Sequence, residues 1–334
     1  MKIIVPMAGM GKRMRPHTLT TPKPLIPIAG KSIVHRLVED IAKSCGEKVD
    51  EVAFIVGRFG TEVEKNLLLI AENIGAKASI YYQDEAKGTA HALLCSRESL
   101  NGKIIVAFAD TLFKADFKLD DEADGVIWVQ QVENPRSFGV VKVDQNNRIT
   151  DFVEKPEHFV SNLAIIGIYY FKDASILLKE LDYLIDQRIL DKGEYQLTSA
   201  LENMKAKGFQ FQPGKVQEWL DCGNKDSTVH SNTRVLEFDK DLNLISGTCK
   251  KNNSIIIPPC FIGENVELIN SVIGPYASIG NNTVIEDSVI SSSIIQSHSR
   301  LSKAHIHNSM IGNYVHFKDC RGEMSIGDYS TQNN

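Results

Sequence analysis

No stretch of this sequence approaches the roughly eighteen consecutive apolar residues that a membrane-spanning helix needs, and the opening MKIIVPMAG holds too short an apolar run for a signal peptide. A membrane partner is therefore not expected. Basic charge is not in excess either: 37 Lys and Arg stand against 42 Asp and Glu, a net charge of −5, and the isoelectric point is near 6.0. A nucleic-acid binder needs a basic face, so no nucleic-acid partner is expected. The six cysteines, Cys45, Cys95, Cys222, Cys249, Cys260 and Cys320, make no C-x-x-C pair and no regular framework. That argues against a metal cage or a disulfide scaffold and for reduced thiols in a cytoplasm. Two glycines are missing where common phosphate motifs require them. The fingerprint G-x-G-x-x-G needs one where Met14 stands, and the P-loop pattern that Gly30, Lys31 and Ser32 would complete needs one where Leu25 stands. Ser32 is better explained as the N-cap of a following helix.

What is present is a loop. A short apolar strand, Lys2 to Pro6, runs into MAGMGKRMRPHTLTTPKPLIP, Met7 to Pro27, and so leaves the carboxyl edge of a sheet, where open α/β folds bind ligands. Gly9 and Gly11 carry no Cβ and let backbone N–H groups approach a polyphosphate. Arg13 adds a permanent planar cation and Lys23 a compact mobile one. A local basic loop on a mildly acidic chain fits a small anionic ligand.

At 334 residues, with 43% apolar and 24% charged residues, the chain has the composition of a globular protein of two domains. Over the first two thirds, strands alternate with helical patterns, which predicts a mixed, mainly parallel sheet with helices on both faces. Helices are expected after Ser32, with Ile33, Val34, Leu37, Val38 and Ile41 on one face and Gly46 past its end, and after a Thr61–Glu64 capping box. Further helices are expected over about 174–185, 197–206 and 224–238. The strand from Lys103 to Ala107 ends at Ala109, Asp110 and Thr111, which puts a carboxylate at a strand's carboxyl end. The strands near 125–132, 139–143, 149–154 and 164–171 follow without long helices between them and are expected to form an insertion carrying sugar contacts.

The string G-x-G-x-R-x-x-P-x-T followed by P-K-P-L-I-P resembles the signature of the sugar-nucleotide pyrophosphorylases, which join a nucleoside triphosphate to a sugar 1-phosphate. The resemblance covers about residues 1–225 and is nearest in look to the glucose-1-phosphate thymidylyltransferase and uridylyltransferase group. It implies a Rossmann-like nucleotide-diphospho-sugar transferase domain. It also implies that Ala8, Gly9, Gly11, Gln83 and Gly88 bind the nucleotide, the last two in Q-x-x-x-x-G-T-A reading the base edge. Asp110, and Asp221 in W-L-D-C-G, match the family's Mg²⁺-binding aspartates. Gly139, Glu154, Lys155 and Asn162 match its sugar-phosphate residues. With Arg13, Lys23 and Asp110 catalytic, the sugar phosphate oxygen would attack the α-phosphorus in line and pyrophosphate would leave, by positioning and charge neutralisation. Ala109-Asp110-Thr111 stands where relatives often have Gly-Asp-Asn, which leaves the sugar open; Lys12 and Ser199 also depart from the common Thr and Asp.

From about Leu244 aliphatics recur every five or six residues, at Ile262, Leu268, Ile273, Ile279, Ile285, Ile290, Ile295, Leu301, Ile306 and Ile311. This hexapeptide repeat predicts a parallel β-helix, which the resemblance makes left-handed, of about four coils. The domains are thus expected at 1–240 and 241–334. In long members of the family such a helix serves assembly or regulation, and an open coil end favours a homo-oligomer, dimer to tetramer. Two alternatives remain: acyl transfer using one of His298, His305, His307 or His316, and a non-catalytic subunit that binds nucleotide sugar as a signal.

Overall fold

The computed structural model describes residues 1–115, 119 and 123–332; residues 333–334, the end of the expected second domain, lie outside the described residues. Two compact units are present and they are not consecutive in sequence. Unit 1 holds Met1–Gly9 and Leu37–Trp219, and unit 2 holds Met10–Arg36 and Leu220–Asn334.

Unit 1 is built on a nine-stranded sheet. Its strands are β1 (Lys2–Pro6), β2 (Glu51–Val56), β3 (Lys77–Tyr82), β4 (Ile104–Ala107), β5 (Gly125–Gln131), β6 (Gly139–Val143), β7 (Ile149–Glu154), β8 (Leu163–Phe171) and β9 (Phe211–Lys215). One path runs β7-β6-β8-β4-β1-β2-β3, and β8 also carries β5, which carries β9. β4, β1, β2 and β3 are parallel neighbours, whereas β8 runs antiparallel to β4, β5 and β6. The segment expected to be an insertion is therefore the antiparallel half of the same sheet. β1, β2 and β4 are almost entirely buried because helices cover them, as continuous rather than alternating apolar runs require.

Helix α1 (Ile33–Ser44) buries Ile33, Val34, Leu37, Val38 and Ile41 completely. Ser32 Oγ accepts from the His35 N–H at 3.3 Å, as an N-cap should. Helix α2 (Thr61–Asn73) departs from expectation, for Gly60 is its N-cap and no side chain caps it. Thr61 is already inside the first turn, and the Glu64 carboxylate accepts from the Tyr82 hydroxyl at 2.6 Å instead of closing a capping box. Helices α3 (Thr89–Cys95), α4 (Ala174–Asp186) and α5 (Leu197–Ala206) pack on one another. Among the described residues no helix is long and apolar enough to cross a membrane.

Unit 2 contains α6 (Lys225–Phe238), opened by a capping box between Asn224 and Ser227, and a β-helix. Three five-stranded parallel sheets form the faces of the β-helix, consistent with the expected left-handed hexapeptide fold. All ten aliphatics of the repeat point into its core at 1% exposure or less. Five coils are present, not about four. Each coil is shorter than three full hexads: the register Ile262, Ile279, Ile295, Ile311, Ile326 advances by 17, 16, 16 and 15 residues. Corners fall on residues that tolerate positive φ, such as Asn253, Asn265, Asn270 and Asn282. Their amides run up the corner as a ladder, with Asn265 Nδ2 donating to Asn282 Oδ1 at 3.1 Å and Asn270 Nδ2 to Asp287 Oδ1 at 3.2 Å.

Candidate active site

In unit 1 the parallel strands β4, β1, β2 and β3 share one carboxyl edge, and the expected nucleotide residues emerge from it. After β1, the Met7 N–H donates to Ile55 O at 2.8 Å, and Ala8 and Gly9 follow. After β4, the turn bearing Asp110 is pinned on both sides. The Phe108 N–H donates to Gly167 O at 2.9 Å, and the buried Thr111 hydroxyl donates to Ile166 O at 2.8 Å. Residue 111 thus spends its side chain on the fold.

After β3, Gln83 is fixed by a small network. Its Nε2 donates to Gly88 O at 3.3 Å and meets His91 Nδ1 at 3.1 Å, a bond that requires Nδ1 as the acceptor and so the Nε2–H tautomer. Gly88 sits at φ +111°, and a Cβ there would lie 2.4 Å from Tyr195 O. The Tyr195 backbone closes the turn from outside: its N–H donates to Lys87 O and its carbonyl accepts from Ala90 N–H, both at 2.9 Å. Burial, with Lys87 nearby, pushes the His91 imidazole below the usual histidine range.

The sugar-phosphate residues form a second group. Gly139 pairs with Glu154 across β6 and β7. The Glu154 carboxylate accepts from Thr198 Oγ1 at 3.2 Å and lies 3.2 Å from Lys155 Nζ. Lys155 adopts φ +41° and donates its N–H to Phe138 O at 3.1 Å. The Lys192 ammonium donates to the carbonyls of both Glu154 and Lys155 and holds this turn. Asn162 immediately precedes β8, and its carbonyl accepts from Val132 N–H at 2.9 Å. Tyr169 links this group to Asp110. Burial first, then the negative charge of Glu154 and Asp110, raises its hydroxyl pKa far above the ordinary phenol value.

In unit 2, Gly11 sits at φ +58°, where a Cβ would lie 2.9 Å from Lys23 Cβ; the glycine lets the loop close over the lysine's backbone. Thr18 Oγ1 fixes that closure by donating to Gly11 O at 2.8 Å. Lys23 is buried and Arg13 exposed. Asp221 is half-buried, and its backbone carbonyl accepts from Ser231 Oγ at 3.2 Å.

The structure therefore groups Gln83 with Gly88, Gly139 with Glu154 and Lys155, Glu154 and Asp110 about Tyr169, and Gly11 with Lys23. Asn162, Arg13 and Asp221 are placed individually. Sequence reasoning missed three residues. His91 and Lys192 carried no motif; His91 directly follows the matched Q-x-x-x-x-G-T-A segment, whereas Lys192 lies thirty residues beyond Asn162. Trp219 was quoted only as part of a string, yet its Nε1 is buried without a partner among the described residues, with its ring edge-on to Phe138 at 5.1 Å. A bound hydroxyl would satisfy such a donor.

Comparisons with known proteins agree in kind. The model of the nucleotidyl transferase family matches residues 2–237. A glucose-1-phosphate thymidylyltransferase of Streptomyces antibioticus is 30% identical over 94% of this chain and 93% of its own length. The low-salt glycan biosynthesis nucleotidyltransferase Agl11 of Haloferax volcanii is 28% identical over 93% and 92%. The bifunctional protein GlmU of Methanococcus vannielii is 28% identical over 96% of this chain and 78% of its own. Among solved structures, one described as a glucose-1-phosphate thymidylyltransferase of Bacillus anthracis superposes with a TM-score of 0.61 at 23% identity, over 73% of this chain and 97% of that one.

Proposed function

The chain belongs to the nucleotidyl transferase family, and from that membership we propose that it joins a nucleoside triphosphate to a sugar 1-phosphate and releases pyrophosphate. We favour dTTP or UTP with glucose 1-phosphate. The observation that carries the base preference is the Gln83 amide, whose Nε2 faces Gly88 O and His91 Nδ1. Its Oε1 is then left as an acceptor, which suits the ring N–H of thymine, uracil or guanine and not adenine or cytosine; among the first three, dTTP and UTP are favoured by the resemblance.

The nucleophile is a phosphate oxygen already ionised at pH 7, so no general base is required and catalysis rests on alignment and charge. Glycine amides of the loop hold the triphosphate, Arg13 pairs with the leaving pyrophosphate, and Lys23 takes up charge developing at the α-phosphate. Glu154 accepts from sugar hydroxyls while Lys155, on its clamped turn, holds the sugar phosphate. Asp110 and Asp221 would hold Mg²⁺. Two aspartates suit that ion by their chemistry, because Mg²⁺ is usually held by one or two carboxylates with substrate phosphates completing its shell. When bound, the ion neutralises repulsion between the two anionic substrates. A cytoplasmic homo-oligomer, dimer to tetramer, belongs to the same proposal, supported by six cysteines that form no disulfide among the described residues and by the exposure of Ile255 and Val289 on the β-helix.

A matrix of nucleoside triphosphates against sugar 1-phosphates, read by pyrophosphate release, tests this reading. The expected result is turnover with dTTP or UTP and glucose 1-phosphate. Nucleotide-sugar binding without pyrophosphate from any pair would refute it in favour of a non-catalytic regulatory subunit. The likeness to a protein named as bifunctional leaves room for one second reading, acyl transfer in the β-helix, where His307 Nε2 lies 3.9 Å from Glu323. Saturable consumption of acetyl-coenzyme A with an amino-sugar phosphate would establish it, and its absence would remove it.

A further inference from the structure

The faces of the β-helix differ in what happens to their outward residues. On one face the outward column is Ile255, Val272, Val289, His305 and Arg321, none of them buried. On another it is Phe261, Ser278, Ile294, Met310 and Ser325, where Ser278, Ile294 and Met310 are at most 4% exposed. Outward side chains of a β-helix become buried only when something covers the face. Segment 10–36 and α6 belong to the same unit and touch this column at both ends.

At the first two coils, a Cβ on Gly30 would lie 2.1 Å from the Phe261 ring, so backbone and ring are in close contact. Asn232 Oδ1 of α6 accepts from both Ala29 N–H at 2.9 Å and Ser278 Oγ at 2.7 Å. At the last coil, the fully buried His17 places Nε2 3.1 Å from Ser325 Oγ. Thr20 Oγ1 donates to Asp328 Oδ2 at 2.7 Å. Pro16 approaches Gly327 so closely that a Cβ there would lie 2.9 Å from the proline's Cβ. Asp328 is a stiff acceptor, because its Oδ1 takes the Asn313 N–H at 2.8 Å and its Oδ2 the Asn313 amide at 3.3 Å, from the coil before.

We infer that this face of the β-helix is the scaffold on which the phosphate-binding loop is set, with Ser325 and Asp328 acting as positioning residues through His17 and Thr20. The inference rests on the reading of residues 10–23 as part of the triphosphate site. His17 and Thr20 flank the Thr18 hydroxyl that closes Gly11 over Lys23, so fixing them fixes the cradle. Because the segment is attached at coils one, two and five, the number of coils, each about 4.8 Å high, sets the distance between its anchors.

The experiment uses the full-length Thr20→Val/Ser325→Ala variant, which removes both side-chain hydroxyls that tie the segment to the last coil and touches none of the proposed ligand contacts. The expected result is a KM for the nucleoside triphosphate raised about tenfold, since each lost hydrogen bond accounts for roughly a two- to tenfold effect. The KM for the sugar 1-phosphate should stay within about twofold. In the protein without substrate, the Met14 and His17 amides should lose about tenfold of their hydrogen-exchange protection, while Met310 and Gly312 keep theirs. Thr20→Ser/Ser325→Thr, which retains both hydroxyls, should restore both readouts. If the double variant does not fold, the exposed single change Ser325→Ala is expected to move the same amides in the same direction. Unchanged protection at Met14 and His17 overturns the inference whether or not the enzyme turns over. Failure of the wild-type protein to release pyrophosphate overturns the proposed activity alone.

Discussion

Gly88→Ala separates backbone strain from steric collision at the turn that anchors Gln83. At φ +111° an alanine is strained by about 1–3 kcal/mol. Its Cβ would also lie 2.4 Å from Tyr195 O and 2.8 Å from Tyr195 N, both backbone atoms that cannot rotate away. Those atoms make the 2.9 Å bonds to Ala90 and Lys87, so moving them weakens two hydrogen bonds of about 0.5–1.5 kcal/mol each. The sum is about 2–6 kcal/mol. Gly46 is the internal comparator: it has φ +68° and nothing within 4 Å of a Cβ, so Gly46→Ala should incur only the left-handed penalty of about 1–2 kcal/mol. Thermal unfolding should place Gly88→Ala well below Gly46→Ala, by about 5–10 °C if a kcal/mol is worth about 2–4 °C in a chain this large. Since Gly88 O anchors the Gln83 amide, the nucleotide KM should rise in the first variant and not in the second. Equal melting temperatures for the two variants would refute the collision argument, and an unchanged nucleotide KM in Gly88→Ala would refute the anchoring argument.

Lys23→Ala and Asp110→Ala should each lower turnover by about 10²–10³ while circular dichroism stays native, by analogy with the loss of one preorganised donor at a reacting centre; wild-type pyrophosphate release in either variant would contradict the mechanism. Lys192→Met removes the ammonium that holds the Glu154 and Lys155 carbonyls, so the sugar 1-phosphate KM should rise several-fold with the nucleotide KM unchanged, as measured by varying each substrate in turn. Burial lowers the His17 pKa to about 4, with Lys225 adding to the effect and Asp328 opposing it. The unfolded chain therefore takes up this proton first as pH falls. The contribution is fully present above about pH 6.5 and is lost progressively towards pH 4, a span worth up to about 3 kcal/mol. Melting curves of wild type and His17→Leu should converge across that window, and a constant offset between them would count against it.

The parallel half of the sheet was legible because β1, β2 and β4 are buried on both faces and read as continuous apolar runs, and because the loop after Pro6 carries its chemistry in one contiguous string. The local networks were not legible. Nothing in the residue type of His91 says that its ring will meet the Gln83 amide, or in Lys192 that its ammonium will sit on two carbonyls; both depend on β3, α3 and the turn before α5 being brought together by the fold. Thr61 and Glu64 have the spacing of a capping box, yet the positive φ of Gly60 starts the helix one residue early and Tyr82 takes the carboxylate. The local signal was correct in type and lost to a tertiary hydrogen bond.

The β-helix marks where pattern reading stops. Ten aliphatics at five- and six-residue steps identify its core, but the outward neighbours of those aliphatics are apolar on two faces, as Ile255, Val272 and Val289 on one and Phe261, Ile294 and Met310 on the other. Each column has three apolar residues, so a count of apolar positions does not tell them apart. One is buried because it meets α6 and, across some three hundred positions of sequence, residues from near the amino terminus, and the partners that decide this are polar: Asn232 for Ser278, His17 for Ser325, Thr20 for Asp328. A histidine inside a phosphate-loop signature has no reason to be read as a docking residue. Its burial becomes intelligible only once the serine two positions before Gly327 is seen to face it. If that pairing sets the loop, the β-helix takes part in triphosphate binding without contributing a ligand from its coils.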